Sequence, residues 1–317
     1  MSWQPSATLA SLRDRAKLLS QVREFFAARG VLEVETPLLG SRGVTDPNLE
    51  AFTVATGVSL SAPRFLQTSP EYAMKRLLAA HGAAIFQVCR AFRDGEAGPR
   101  HNPEFTMLEW YRPGFDLRAL MDEVADLVSL CLGERPVVRY AYRELFRQHL
   151  DLDPVAAAPA AIESLARELL DVGDMRGDSD LWLDLLMSHV IEPRIAGEGM
   201  CFVYDYPASQ ASLARIDERD GVRVAQRFEL YVDGVELANG YLELTDPAEQ
   251  RRRFDADNAV RRQRGLPRKA VDERLIAALQ HGLPDCSGVA LGLDRLLMLR
   301  AGAAQLGEVL AFDWERA

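Results

Sequence analysis

From about Leu9 to Arg29 the apolar positions Leu9, Leu12, Ala16, Leu19, Val22 and Phe26 recur at helical spacing and stop at Gly30, so the chain opens on a helix. VLEVETPLL then alternates like a strand and breaks at Pro37. Ser69-Pro70-Glu71 opens a second helix, with serine as N-cap, proline at the first position and an acid in the first turn. IFQVCRAF (Ile85 to Phe92) and EFTMLEWY (Glu104 to Tyr111) read as two strands joined by a charged, glycine-containing loop. A helix follows from about Asp116 to Leu132. The stretch from Asp153 to Ala160, rich in alanine and proline, reads as a surface excursion, and Ile162 to Ile195 reads as mostly helical. Strands return at CFVYDY, VRVAQRFELYVDG and VELANGYLEL. Two arginine-rich helices come next, and VALGLDRLLML runs from strand into helix. Hairpins mixed with helices in this order predict an α+β fold on an antiparallel sheet.

Composition narrows the class. The 317 residues are 48% hydrophobic and 26% charged, the balance of an ordinary globular protein. The N-terminal residues lack a signal-peptide pattern, and charges interrupt every apolar run before it could span a bilayer, so a cytoplasmic location and no membrane association are expected. Cys89, Cys131, Cys201 and Cys286 are far apart, which suits structural thiols and supports neither a disulfide framework nor a zinc site. A net charge of −10 weighs against a long nucleic acid as the main partner.

Three segments hold candidate chemistry. Along EFTMLEWY, the residues Phe105, Met107, Glu109 and Tyr111 share one face, which places a carboxylate and a phenol among apolar neighbours. Such a face is either the wet side of an edge strand or a pocket where Glu109 meets a ligand ammonium and Phe105 stacks on a base. In VELANGYLEL, Asn239-Gly240 is a strong hairpin signal, and that turn would set Glu236 opposite Glu243. Facing like charges need a cation between them. A continuous strand instead puts the two glutamates on opposite faces unless a bulge at Gly240 shifts the register. Either the pair shares a magnesium ion or the two are unrelated surface groups. In SGVALGLDRLLML, Arg295 falls in the first turn of a helix preceded by Gly288 and Gly292, an arrangement suited to phosphate and equally to tight packing.

In order and in detail these segments resemble the signature motifs of the class II aminoacyl-tRNA synthetases. The opening helix with GVLEVETPLL resembles motif 1, CRAFRDGEAGPRHNPEFTMLEWY motif 2 and GVALGLDRLLML motif 3; HNPEFTMLEWY and ELANGYLEL are similar to lysyl-tRNA synthetases in particular. The resemblance covers nearly the whole chain. It implies a single catalytic domain over residues 1–317, an antiparallel sheet flanked by helices, acting as a homodimer. It assigns Arg93 to the ATP α-phosphate and Arg295 to the γ-phosphate as catalytic groups, with Glu236 and Glu243 holding Mg2+. Asp94, Gly95, Asn102, Phe105, Leu237 and Gly292 complete the ATP site, with Phe105 on the adenine. Ser69, Pro70, Glu71, Glu109, Tyr111, Asn239, Glu243 and Ala290 line the amino-acid pocket, whose acids Glu71 and Glu109 suit a dibasic substrate such as lysine or an isomer.

Three departures shape the expected function. No anticodon-binding OB domain is expected ahead of the opening helix. Ala290 stands where the synthetases have glycine, and one methyl group in a pocket alters selectivity by roughly ten- to a hundredfold. The motif 2 loop reads Arg93-Asp94-Gly95-Glu96, so the adenine-side acid is either missing or displaced by one residue. Together they resemble the truncated lysyl-tRNA synthetase paralogues that transfer (R)-β-lysine to elongation factor P, which implies that protein as acceptor and no stable tRNA binding. The competing readings are a minimal lysyl-tRNA synthetase that charges tRNA, an asparagine-synthetase-like ligase, whose aspartate Glu71 and Glu109 would repel, and a non-catalytic regulator. Arg251, Arg252, Arg253, Arg261, Arg262 and Arg264 read either as solvated helix faces or as a docking surface.

Overall fold

The computed structural model describes residues 3–55 and 63–317. In chain order the first elements are α1 (Leu9–Ala27), β1 (Leu32–Glu33), β2 (Leu39–Gly40), β3 (Thr53–Val54), β4 (Arg64–Leu66), α2 (Glu71–His81), β5 (Ile85–Phe92) and β6 (Glu104–Pro113). They are followed by α3 (Leu117–Leu132), β7 (Val137–Ala141), α4 (Tyr142–Leu150), α5 (Pro159–Leu169), α6 (Ser179–Leu186), α7 (Glu192–Ile195) and β8 (Met200–Pro207). The chain closes with β9 (Ile216–Arg219), β10 (Val222–Val232), β11 (Val235–Leu242), α8 (Pro247–Gln263), α9 (Glu273–His281), β12 (Cys286–Gly292) and α10 (Leu293–Ala301). These elements gather into two compact units. One holds the residues up to Phe115 with Leu130–Gly133 and Leu244–Ala317; the other holds Asp116–Ser129 and Glu134–Glu243.

In the first unit β5 and β6 pair antiparallel along their whole length, from Ile85 opposite Tyr111 to Phe92 opposite Glu104. β12 runs antiparallel on the other side of β6 and sets Ala290 opposite Glu109. Phe26 of α1 stacks on Phe86 with ring centroids 4.4 Å apart and meets Trp110 edge-on, so burial of one helix stripe seats α1 on this sheet. The strand expected over VLEVETPLL shrinks to Leu32–Glu33, parallel to β5. The Val34 N–H still donates to the Phe86 carbonyl (2.9 Å), but Pro37 has no donor to continue the ladder and Leu32 faces solvent. Arg261 is fully buried rather than solvated: it donates to the Asp46 carbonyl and pairs with Glu50, which Lys269 also holds. The Glu50 carbonyl in turn accepts the Asp94 N–H (2.9 Å), fixing the start of the β5–β6 loop.

In the second unit β8, β10 and β11 are antiparallel, β7 lies parallel to β8, and β9 pairs with β10. Tyr142, Phe146, Trp182, Leu186, Val203 and Tyr231 belong to its buried core. Asp233 and Gly234, both at positive φ (51° and 70°), turn β10 into β11. Because this turn already reverses the chain, Asn239-Gly240 does not: both residues lie inside β11, opposite Glu229 and Phe228. The bulge sits at Leu237, not Gly240, since Ala238 faces Leu230 while Glu236 faces Tyr231.

Candidate active site

The first unit brings together most of the expected amino-acid pocket. Helix α2 starts at Glu71 with Pro70, not Ser69, in the capping position, yet the Ser69 hydroxyl accepts the Glu71 N–H (3.0 Å). The same hydroxyl donates to Glu109 Oε2 (2.6 Å), and the Tyr111 hydroxyl donates to Glu109 Oε1 (2.7 Å). Glu109 is only 2% exposed; burial, and then the charge of Glu71, push its carboxyl up to about 7 against the pull of these donors and of Lys75. EFTMLEWY is thus paired on both sides, and its alternation buries Glu109 and Tyr111 instead of forming a wet edge. Cys89 belongs to the same surroundings: burial and then the Glu109 charge push its thiol up to about 12, and it stays a half-buried free thiol near Gln67.

Lys75 is the residue that the sequence did not single out. A lysine one turn into a helix ordinarily reaches solvent, but here its ammonium is buried, 1% exposed, and pairs with Glu71 Oε1 at 2.6 Å. The i,i+4 spacing of Glu71 and Lys75 was its only signal.

The expected nucleotide residues of this unit form a second group. The Arg93 guanidinium lies 5.1 Å from the centre of the Phe105 ring, and its Nε is buried with no hydrogen-bond partner. Glu96, displaced by one residue in sequence, still reaches Arg93 (3.7 Å). Arg295, in the first turn of α10, donates to His101 Nε2 (2.7 Å) and to the Arg100 carbonyl (3.3 Å). Burial and the neighbouring Arg295 lower the pKa of His101, which leaves the ring neutral as an acceptor. His101 therefore orders the loop and the arginine. Asn102 serves the loop too, donating to the Glu104 carbonyl and accepting from the Trp314 N–H. Gly95 takes the positive φ (83°) that the turn after Asp94 needs. Beneath them, buried Asp294 accepts the Thr106 N–H (2.6 Å) and pairs with Arg15, tying α10, β6 and α1 together. A side chain at Gly292 would meet Arg295 only at ordinary contact distance, 3.6 Å, so the fold itself does not demand glycine there.

The second unit holds Glu236, Leu237, Asn239 and Glu243. Asn239 is clamped at both ends, accepting from Arg227 Nε (3.3 Å) and donating to Glu229 Oε1 (3.1 Å). Glu229 also takes bonds from Arg227, Tyr206 and Tyr231. Burial pulls its carboxyl upward, but the Arg227 charge and the donated bonds outweigh that and hold it below the usual carboxylate range. The bulge takes Leu237 out of register with β10 and leaves Glu236 and Glu243 in the same parity of the alternation. They are nevertheless six ladder steps apart, roughly 20 Å at ~3.3 Å per step. Two glutamate side chains and one ion do not span that, so the shared magnesium site expected from the sequence does not fit. Among the described residues no group of three or more His, Cys, Asp or Glu is placed to hold a metal.

A family model described as tRNA synthetases class II (D, K and N) matches residues 2–316. The chain is 52% identical to the elongation factor P–(R)-β-lysine ligase of Edwardsiella ictaluri, an alignment covering 100% of this chain and 98% of that protein. It is 51% identical to the ligase of the same name from Yersinia enterocolitica and 50% identical to that of Salmonella dublin, with the same coverage. No described helix is long and apolar enough to cross a membrane.

Proposed function

The chain belongs to the class II tRNA synthetase family of the D, K and N types, and on that footing we propose that it activates (R)-β-lysine with ATP and transfers it to a lysine of elongation factor P. The observation that carries this reading is the 50–52% identity, over the full chain, to relatives that bear the name of that ligase.

In the first step a carboxylate oxygen of the amino acid attacks the α-phosphorus, the bond to the bridging oxygen breaks, and pyrophosphate leaves. No base is needed, because the carboxylate is already ionised at neutral pH. Negative charge builds on crowded oxygens, and Arg93 and Arg295 are the chain's answer to it, at the α- and γ-phosphates respectively. The buried Nε of Arg93, still without a partner, supports this assignment. In this reading Phe105 is assigned to adenine, and Asp94, Gly95, Asn102, Leu237 and Gly292 are assigned to the nucleotide. In the second step the neutral ε-amine of the acceptor lysine attacks the adenylate carbonyl. The C–O bond to AMP breaks, AMP departs with the electron pair, and the amine's surplus proton passes to water.

We assign the Ser69–Glu109–Tyr111 corner to a substrate ammonium, with Pro70 and Glu71 beside it. Asn239 and Glu243 serve the amino acid as well, and Glu236 alone serves the nucleotide; no step runs through a metal held between the two glutamates. Ala290 stands opposite Glu109 in the ladder, where its methyl group narrows the corner and disfavours α-lysine. The active form is a homodimer in this reading. Pyrophosphate exchange tests the first step: it should depend on (R)-β-lysine, exceed that with α-lysine, and vanish in folded Arg93→Ala and Arg295→Ala proteins. Exchange that neither substitution affects, or that needs a different amino acid, would overturn the proposal.

A further inference from the structure

The amino-acid pocket, on the reading just given, contains a cation of its own. Two carboxylates, Glu71 and Glu109, were expected to receive a dibasic substrate. The structure adds Lys75, whose ammonium is buried against Glu71 at 2.6 Å, while Glu109 is held by two hydroxyls from Ser69 and Tyr111. Glu71 is thus paired directly with Lys75, whose charge also acts on Glu109. We infer that Lys75 is a positioning counter-charge: by pairing with Glu71 it offsets the carboxylate beside Glu109 and leaves Glu109 able to carry its own charge toward a substrate ammonium.

The reasoning is electrostatic. The groups around Glu109 include Ser69, Glu71 and Lys75 from α2 and its lead-in, Tyr111 along β6, and Cys89 on β5; the opposing positions on β5 and β12 are the neutral Gln87 and Ala290. Only Lys75 among them is cationic. Without it, half-buried Glu71 and buried Glu109 would be two unbalanced carboxylates, and Glu109 would hold its proton to higher pH. A protonated Glu109 has no charge to offer a substrate ammonium, so binding would suffer before chemistry does. Lys75 touches neither substrate nor reacting atoms in this scheme. It is a positioning residue acting through Glu71 and Glu109.

The test is Lys75→Met, a substitution of similar length without charge, assayed by pyrophosphate exchange with (R)-β-lysine. The acidic limb of kcat/KM, which reports the free enzyme's essential carboxyl, should move up by about one pH unit, and KM at pH 7 should rise about tenfold with kcat nearly unchanged. A purely structural lysine would lower kcat through loss of folded enzyme and leave the limb and KM where they are, and that outcome overturns the inference. If Lys75→Met does not fold, the Glu71→Gln, Lys75→Met double variant decides, because it replaces the ion pair by a neutral pair. Its limb should lie at or below the wild-type position; an upward move refutes the counter-charge role. Carboxyl 13C NMR of the free protein, assigned against Glu109→Gln, reads the same effect without substrate. If no lysine isomer supports exchange but the Glu109 titration moves as expected, the functional proposal fails and the role of Lys75 stands.

Discussion

Replacing Glu109 by glutamine should make the protein more stable at alkaline pH while removing its capacity to activate the amino acid. Glu109 has an ordinary carboxyl value of 4.5 when exposed in the unfolded chain and about 7 in the fold, where burial dominates. The folded state therefore binds more protons between these two values, so stability is lost as pH rises through that window. A shift from 4.5 to about 7 amounts to about 3 kcal/mol of instability once pH is above both values. Of this, about 2.5 kcal/mol develops between pH 5 and pH 8. Glutamine never ionises, but it accepts bonds at only one of its two terminal atoms, whereas the Ser69 and Tyr111 hydroxyls now donate to both Glu109 oxygens. That mismatch costs about 1 kcal/mol at any pH. The expected result is near parity at pH 5 and a variant more stable by about 2 kcal/mol at pH 8. Urea unfolding followed by tryptophan fluorescence suits the measurement, because Trp110, beside Glu109, is fully buried. Other titrating groups are common to both proteins and cancel in the difference. A stability difference that is constant from pH 5 to pH 8 would refute the buried, proton-holding Glu109.

Further predictions come from single contacts. Asp294→Ala strands Arg15 and the Thr106 N–H, and should lower stability by about 3 kcal/mol, read as a reduced urea midpoint. Ala290→Gly should open the corner opposite Glu109 and improve the use of α-lysine relative to (R)-β-lysine by roughly tenfold in exchange assays. Replacing Arg251, Arg252 and Arg253 by alanine removes pairs with Glu273 and Glu249 that solvent screens, so adenylation should survive with little change in the urea midpoint. Loss of exchange in that folded triple variant would place these arginines in the active machinery.

What the sequence conveyed depended on how local the controlling forces are. β5 and β6 were legible because each alternates cleanly and each is paired over its full length. The opening helix was legible from its stripe, whose Phe26 anchors it. β1 was overestimated, since its alternation ends at a proline and its pairing comes from one parallel neighbour. Asn239-Gly240 was ambiguous for a different reason: a turn signal is local, and the turn at Asp233-Gly234 decides that it stays unused. The same non-local fact separates Glu236 from Glu243. Site residues carried by motifs could be nominated from sequence; those that work by burial could not. Lys75 and Arg227 pair with near neighbours in sequence, Glu71 and Glu229, and Arg261 with the distant Glu50; what the sequence does not show is that Lys75 and Arg261 are fully buried. Arg227 and Glu229 had a faint signal in the alternation of VRVAQRFELY, and Arg261 had none.

The most direct test supplies radiolabelled (R)-β-lysine or α-lysine with ATP and offers purified elongation factor P and bulk tRNA as parallel acceptors. We expect label on elongation factor P, stronger with (R)-β-lysine, and none on tRNA. Label on tRNA, with elongation factor P unmodified, would contradict the ligase assignment and make the chain a tRNA-charging enzyme.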